Sequence, residues 1–423
     1  MSILKKISGN QLVRLSSLNS VSVLTRIAGG FLASKMLATL GPAGMSLTGG
    51  LRNVLGFTDV FSILGMQTGI VKYSAEYEED KKELSYVLST VFVTVLVAVA
   101  FFALVLFIPA AFWSKWAFNG TAQYAWVFRV LAAALPLYTG SILLTAVLNG
   151  LGKYKRVILI NIFGNTIGVT MSAVLIWFFK IEGAFLGLIF SPVVVFFLAI
   201  YPFYKKLGGF SLIRFSNFKP DMLNKLSAYS FMGIFTSLLS IAVYINLRNH
   251  ISETVGMEQS GYWEGINRIS SFYLMFAVTL QSVYLFPMLS KAKTDGEIKK
   301  LWHSFYKIVI PVFAFGLLVM YILRGLVIKT IFSEAFLPME SLFVWQLLGD
   351  LFKVASQILA QEILARRLIK QYFITEVMSF SIFYFAGIYL VNHFAAEGAV
   401  MAHCLTYFVY FIYMVVYFSK KIF

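Results

Sequence analysis

From Leu84 to Phe112 the chain carries no charged side chain, and most of its residues are aliphatic or aromatic. An α-helix needs about 20 apolar residues to cross the roughly 30 Å hydrocarbon layer of a bilayer. Runs of this kind recur twelve times along 423 residues, at about 16–40, 46–71, 84–112, 122–148, 157–179, 182–204, 223–249, 262–289, 302–323, 342–365, 372–391 and 398–418. Inside lipid no water reaches the backbone, so each peptide group must bond within a helix or a closed barrel. The runs are continuous rather than alternating, which favours helices. The expected fold class is an all-α polytopic membrane protein of twelve transmembrane helices. Only 13% of residues are charged, against about a quarter in soluble domains.

The formal charge of +16 does not form one patch, which argues against nucleic acid as a partner. Of the 35 basic residues, 24 fall on loops and helix ends on the side of the N-terminus; four, Lys115, Lys180, Arg324 and Lys329, fall on the other side. The remaining seven lie deeper in spans. Cytoplasmic loops carry the excess of Lys and Arg, so both termini are expected in the cytoplasm. The single Cys404 excludes an intramolecular disulfide framework and a multi-cysteine metal site. The first apolar run holds Arg26 and Lys35 and offers no small-residue cleavage site, so a cleaved signal peptide is not expected.

Two pairs of segments match internally. IEGAFLGLIFSPVVVFFLAIYPFYKK from Ile181 parallels AEGAVMAHCLTYFVYFIYMVVYFSKK from Ala396, at an offset of 215. YSAEYEEDKKEL ending at Leu84 parallels SKAKTDGEIKKL ending at Leu301, at an offset of 217. Two matches at nearly one offset argue for duplication. The expected division is an N-terminal lobe over 1–207 with six spans, a cytoplasmic linker over 208–222 and a C-terminal lobe over 223–423 with six more. Six is even, so the two lobes form a parallel pseudo-repeat, with a central cavity expected between them.

The charges inside the spans are the candidates for function. Arg26, Lys35, Arg52, Arg129, Arg248, Arg268 and Lys353 are basic; Asp59, Glu264, Asp350, Glu362 and Glu376 are acidic. An ion at the bilayer centre costs about 2.5–3.5 kcal/mol on insertion scales, so each must face water, a partner or the interface. Glu264 and Arg268 are spaced i, i+4 in the favourable order for a helical ion pair. Asp350 and Lys353, spaced i, i+3, have a similar structural reading, and Lys35, Arg129 and Arg248 lie where a long side chain snorkels. The functional reading rests on the set. Arg26, Lys35, Arg52, Arg248 and Arg268 occupy the first two spans of each half, opposed there only by Asp59 and Glu264. Such a cationic cavity calls for an anionic substrate, and a guanidinium fork suits diphosphate. Gly29 and Gly30, between Arg26 and Lys35, would permit a bend that brings the two onto one face. Asp59, Glu264, Asp350, Lys353 and Glu376 are the candidate coupling or cavity ion pairs. No catalytic or metal-ligating set stands out, and no cofactor is expected beyond a coupling proton or sodium ion.

LGPAGMSLTGGLRNVLG (Leu40–Gly56), GIVKYSAEY (Gly69–Tyr77), SVYLFPMLSK (Ser282–Lys291) and FVWQLLGDLFKV (Phe343–Val354) carry a family resemblance. Through them the chain resembles the Wzx-type O-antigen and lipid III flippases of the multidrug/oligosaccharidyl-lipid/polysaccharide (MOP) exporter superfamily. The resemblance implies two six-helix lobes around a cavity and transport of an undecaprenyl-diphosphate-linked glycan across the membrane. It implies the lipid bilayer, a glycan polymerase and a chain-length regulator as partners. By the resemblance Lys35, Arg52, Arg248, Asp350 and Lys353 match the family residue, Arg26 stands for a lysine, and Glu264 and Arg268 stand at uncharged positions. A cation-coupled drug exporter of the same superfamily, a glycan polymerase or glycosyltransferase, and a major-facilitator carrier are the rival readings. The exporter calls for an acidic cavity, the enzymes for functional groups on sizeable outward loops, and the carrier for a basic loop where KYSAEYEEDKKEL stands.

Overall fold

The computed structural model describes residues 9–207, 211–227, 230–292, 294–366 and 368–419. Among them there is no strand; the chain is α-helical almost throughout. The helices are α1 (Gly9–Ala38), α2 (Gly41–Phe61), α3 (Gln67–Glu76), α4 (Lys81–Phe107), α5 (Ala110–Ala117), α6 (Ala125–Gly150), α7 (Tyr154–Leu207), α8 (Pro220–Ser227), α9 (Ser230–Val255), α10 (Met257–Leu280), α11 (Phe286–Lys291), α12 (Asp295–Ile322), α13 (Arg324–Ile331), α14 (Phe343–Ala365) and α15 (Ile369–Tyr417). Seven described helices are long and apolar enough to cross a membrane, and two of these, α7 and α15, are each two helices joined at a sharp turn. This is an all-α polytopic membrane fold.

The turn in α7 is at Lys180 (φ 52°, ψ −124°) and the turn in α15 is at Ala395 (φ 52°, ψ −141°). These positions lie 215 residues apart, the offset read from the Glu-Gly-Ala repeat. The repeat extends further. Gly183 and Gly398 each lie against the backbone carbonyl of the residue eight positions earlier, Leu175 and Leu390, where a Cβ has no room. Gly41 and Gly256, also 215 apart, both adopt positive φ, Gly41 as the first residue of α2 and Gly256 just before α10. The second match is displaced. Asp80 caps α4 by accepting from the backbone N–H of Lys82 and Glu83, and Thr294 caps α12 by accepting from Glu297. Those caps lie 214 residues apart, three fewer than the sequence match.

The chain forms two compact units, Met1–Met36 with Leu51–Leu238, and Leu37–Gly50 with Leu239–Phe423. In the first, α7 is a helical hairpin closed by small residues. A Cβ on Gly164 would lie 2.6 Å from Val195, one on Gly187 would lie 2.5 Å from Ser172, and Gly168 faces Ser191. Gly164 and Gly168, like Gly183 and Gly187, form the G-x-x-x-G spacing that lets membrane helices approach closely. Helix α1 is continuous through Gly29 and Gly30. Gly29 serves approach: the Asn165 side chain packs there and donates to the carbonyl of Thr25 at 3.0 Å.

Residues 46–71, expected as one span, are broken between α2 and α3. Leu64 (φ 51°) and Gly65 (φ 65°) take left-handed backbone, and a Cβ on Gly65 would lie 2.8 Å from the carbonyl of Ser230. Only glycine tolerates both conditions without strain. Residues 208–210 of the expected linker lie outside the described residues. The rest is strapped to the first turns of α4: Ser85 and Ser89 donate to the carbonyl of Leu212, and Ser89 and Thr90 accept from the backbone N–H of Arg214 and Lys219.

In the second unit, α2 starts and α10 starts in close contact. Gly261 lies against Pro42, and the hydroxyls of Ser46 and Ser260 share a hydrogen bond of 2.8 Å. A hydrophobic core around Leu285, Leu289, Trp302, Ile358 and Met414 ties α11, α12, α14 and α15 together.

Candidate functional site

The charged candidates divide between the units. Arg26, Lys35, Arg52 and Asp59 belong to the first, and the side chains of all four are exposed. Asp59 on α2 accepts a hydrogen bond of 2.5 Å from the buried Tyr138 hydroxyl on α6. Tyr138 draws no attention in the sequence, since it is one of 22 tyrosines.

The second unit buries its charges. Helix α10 brings Glu264 and Arg268 one turn apart, and α9 brings Arg248 to the same carboxylate. Arg248 Nη2 lies 2.6 Å from Glu264 Oε2, and Arg268 Nε lies 3.5 Å from Glu264 Oε1. The three side chains are 2%, 8% and 6% exposed in the order Arg248, Glu264, Arg268, so water screens this cluster little. One carboxylate here serves two guanidinium groups. Gly49 of α2 completes the enclosure: a Cβ there would lie 2.5 Å from Glu264 Oε2 and 2.8 Å from Arg248 Nη2. Trp263 stacks on Tyr244, and the Arg248 guanidinium sits 5.5 Å from the Trp263 ring centre. The face of an indole attracts a cation.

Asp350 on α14 is fully buried and is the hub of a second polar group. Its Oδ2 accepts from Ser270 at 2.6 Å, Tyr273 at 2.5 Å and Gln346 at 3.2 Å. Its Oδ1 lies 3.0 Å from His403 Nε2 on α15. Lys353, one turn further along α14, sits with its ammonium 4.9 Å from the ring centre of Tyr407. Ser270, Tyr273, Gln346 and His403 are additions that sequence reasoning missed. The one available signal was His403, an imidazole inside an apolar run. Glu376 is half-buried and lines a cavity of about 190 Å³ with Gln281, Gln357 and Gln361.

Among the described residues, no group of three or more His, Cys, Asp and Glu has the arrangement of a metal site. The polar groups make ion pairs and hydrogen bonds suited to holding an anion or moving a charge.

The family described as polysaccharide biosynthesis protein matches residues 15–293. The lipid III flippases of Escherichia coli (strain K12) and Shigella flexneri are each 30% identical over 405 residues, covering 95% of this chain and 96% of theirs. Two solved structures share the fold. An inward-facing multidrug resistance MATE family transporter of the MOP superfamily superposes with a TM-score of 0.73 at 16% identity, covering 95% of each chain. The lipid II flippase MurJ, in an inward closed conformation, superposes with a TM-score of 0.72 at 16% identity, covering 97% of this chain and 89% of its own. The curated relatives are named lipid III flippases, and the chain belongs to the polysaccharide biosynthesis protein family.

Proposed function

We propose that this chain is a flippase for an undecaprenyl-diphosphate-linked oligosaccharide of the O-antigen or enterobacterial-common-antigen type. It carries its substrate from the cytoplasmic to the periplasmic leaflet of the bacterial inner membrane by alternating access, with both termini cytoplasmic. Arg26, Lys35, Arg52, Arg248 and Arg268 attract the diphosphate, and a proton or sodium ion drives the cycle. The observation that carries this reading is the buried pair Arg248 and Arg268 around the single Glu264. Guanidinium groups kept at membrane depth are rare and costly, and their planar fork suits a diphosphate. The relatives support the lipid-linked glycan, since at 30% identity over nearly the whole chain both are named lipid III flippases. The uneven loop charge supports the orientation.

The test is complementation in cells lacking their own O-antigen or lipid III flippase, at matched membrane abundance. Wild type restores surface glycan; Arg26→Ala and Arg268→Ala do not. Efficient insertion of wild type with no glycan, and no transport of purified lipid-linked sugars in vesicles, overturns the reading. A drug exporter is the second reading. It is favoured by the buried Asp350–His403 pair, a place to carry a proton against a cation, and it requires wild type to expel cationic dyes.

A further inference from the structure

A groove of about 900 Å³ lies between α12, α14 and α15 of the second unit, away from the charged cluster. That volume is within the range of ligand sites, about 300–1,000 Å³. Lys299, Lys300, His303 and Lys307 line it from α12, and all four are exposed. Their spacing of four residues, with Lys300 beside Lys299, puts them along one face of the helix. Leu359 of α14 and Phe411 and Val415 of α15 give it apolar walls. Trp302 and Tyr306 form part of the same lining and are fixed in place. Trp302 packs edge-on against Phe418 at 5.1 Å, and the Tyr306 hydroxyl donates to the carbonyl of Ala355 at 2.6 Å. No carboxylate is among the described residues lining the groove; Asp295 and Glu297 stand in the first turn of α12, outside it.

Lysines that only fix topology need no groove beneath them. Here they stand over an apolar slot, and that pairing selects a ligand. A soluble anion gains nothing from Leu359, Phe411 and Val415. A zwitterionic lipid gains little from three lysines. Basic pockets between membrane helices hold anionic lipid head groups. We infer that this groove binds an anionic phospholipid of the surrounding bilayer, its phosphate on Lys299, Lys300 and Lys307 and an acyl chain along Leu359, Phe411 and Val415.

The test uses the full chain in nanodiscs of phosphatidylcholine with a minority of phosphatidylglycerol, with lipids retained after extraction counted by native mass spectrometry. Wild type retains phosphatidylglycerol in preference. Lys299→Gln/Lys300→Gln/Lys307→Gln lowers that preference by about a hundredfold, at about one kcal/mol for each of three lysines near the surface. Lys153→Gln/Lys155→Gln, which removes basic residues outside the groove, retains it. If the triple variant does not insert, His303→Glu places a carboxylate over the groove and lowers the preference by itself. Equal loss in the control pair shows general attraction to charge and overturns the inference, as does full retention in the triple variant. Retention of undecaprenyl diphosphate in place of phosphatidylglycerol also overturns it, because the occupant is then a prenyl carrier.

Discussion

Replacing Glu264 by glutamine tests whether the buried cluster holds the second unit together. The wild-type carboxylate is shared by Arg248 at 2.6 Å and Arg268 at 3.5 Å, with all three side chains at most 8% exposed. Glutamine keeps the shape and removes the charge, so two guanidinium groups face each other in a site that water barely reaches. Removing one partner of a buried ion pair costs about 3–5 kcal/mol, because the remaining charge is uncompensated. Arg268→Gln leaves the short Arg248–Glu264 pair intact and neutral, and costs about 1 kcal/mol. The double variant Glu264→Gln/Arg248→Gln removes an opposite pair and recovers part of the Glu264→Gln loss, a coupling of about 1–3 kcal/mol. The assay is thermal unfolding of the purified protein in detergent, at one scan rate because unfolding of such proteins is often irreversible. Glu264→Gln is expected to lower the midpoint by roughly 10 °C, from about 2–4 °C for each kcal/mol in a unit of about 200 residues such as the second. If Glu264→Gln melts with wild type while Arg268→Gln collapses, the reasoning is refuted.

Other substitutions follow from the same geometry. Gly49→Ala puts a methyl against Glu264 and Arg248 and should cost about 1–3 kcal/mol in the same melt; a Gly49→Ala/Glu264→Ala loss smaller than the sum of the two single losses would place the clash there. Gly183→Ala and Gly398→Ala each set a Cβ against a backbone carbonyl that has nowhere to move, so both should reduce folded protein in fluorescence-detected size exclusion by more than any exposed alanine change. Ala395→Gly relieves a left-handed residue and should raise stability by roughly 0.5–1 kcal/mol, with no change in glycan transport. Asp350→Asn keeps the Ser270 and Tyr273 contacts but removes the charge facing His403; surface glycan measured at matched abundance should fall, and unchanged transport excludes this pair from any coupling step.

Much of the architecture is legible in the sequence because lipid leaves the backbone so few options. The apolar runs mark helices, and Glu-Gly-Ala marks both hairpin turns, since Gly183 and Gly398 are where the chain must pass its own carbonyl. The break at Leu64–Gly65 is not legible. Apolar character continues across it, and its cause is the backbone of Ser230, distant in the chain. The small-residue seam of α7 was open to reading as two G-x-x-x-G motifs but is masked by the hydropathy around it. The site divides the same way. Glu264 and Arg268 are neighbours by helical period, so their pairing follows from spacing. That Arg248 shares the carboxylate depends on how α9 meets α10. Asp350 depends on α10 and α15 for Ser270, Tyr273 and His403, the nearest of which is 53 residues away in the chain.

The two sets of cations answer different physical demands. Arg248 and Arg268 are covered by protein and share a carboxylate, so their desolvation is offset within the fold. Arg26, Lys35 and Arg52 are exposed on α1 and α2. Against lipid, three such ions would cost about 8–10 kcal/mol by insertion scales, comparable with the whole stability of a domain. Each is expected to meet water, a protein partner or a polyanion at membrane depth. An exposed cation contributes little to stability, so Arg26→Ala, Lys35→Ala and Arg52→Ala should leave the melt within about 0.5 kcal/mol of wild type. Loss of glycan transport in those variants, with the melt unchanged, separates a role in passage from a role in folding.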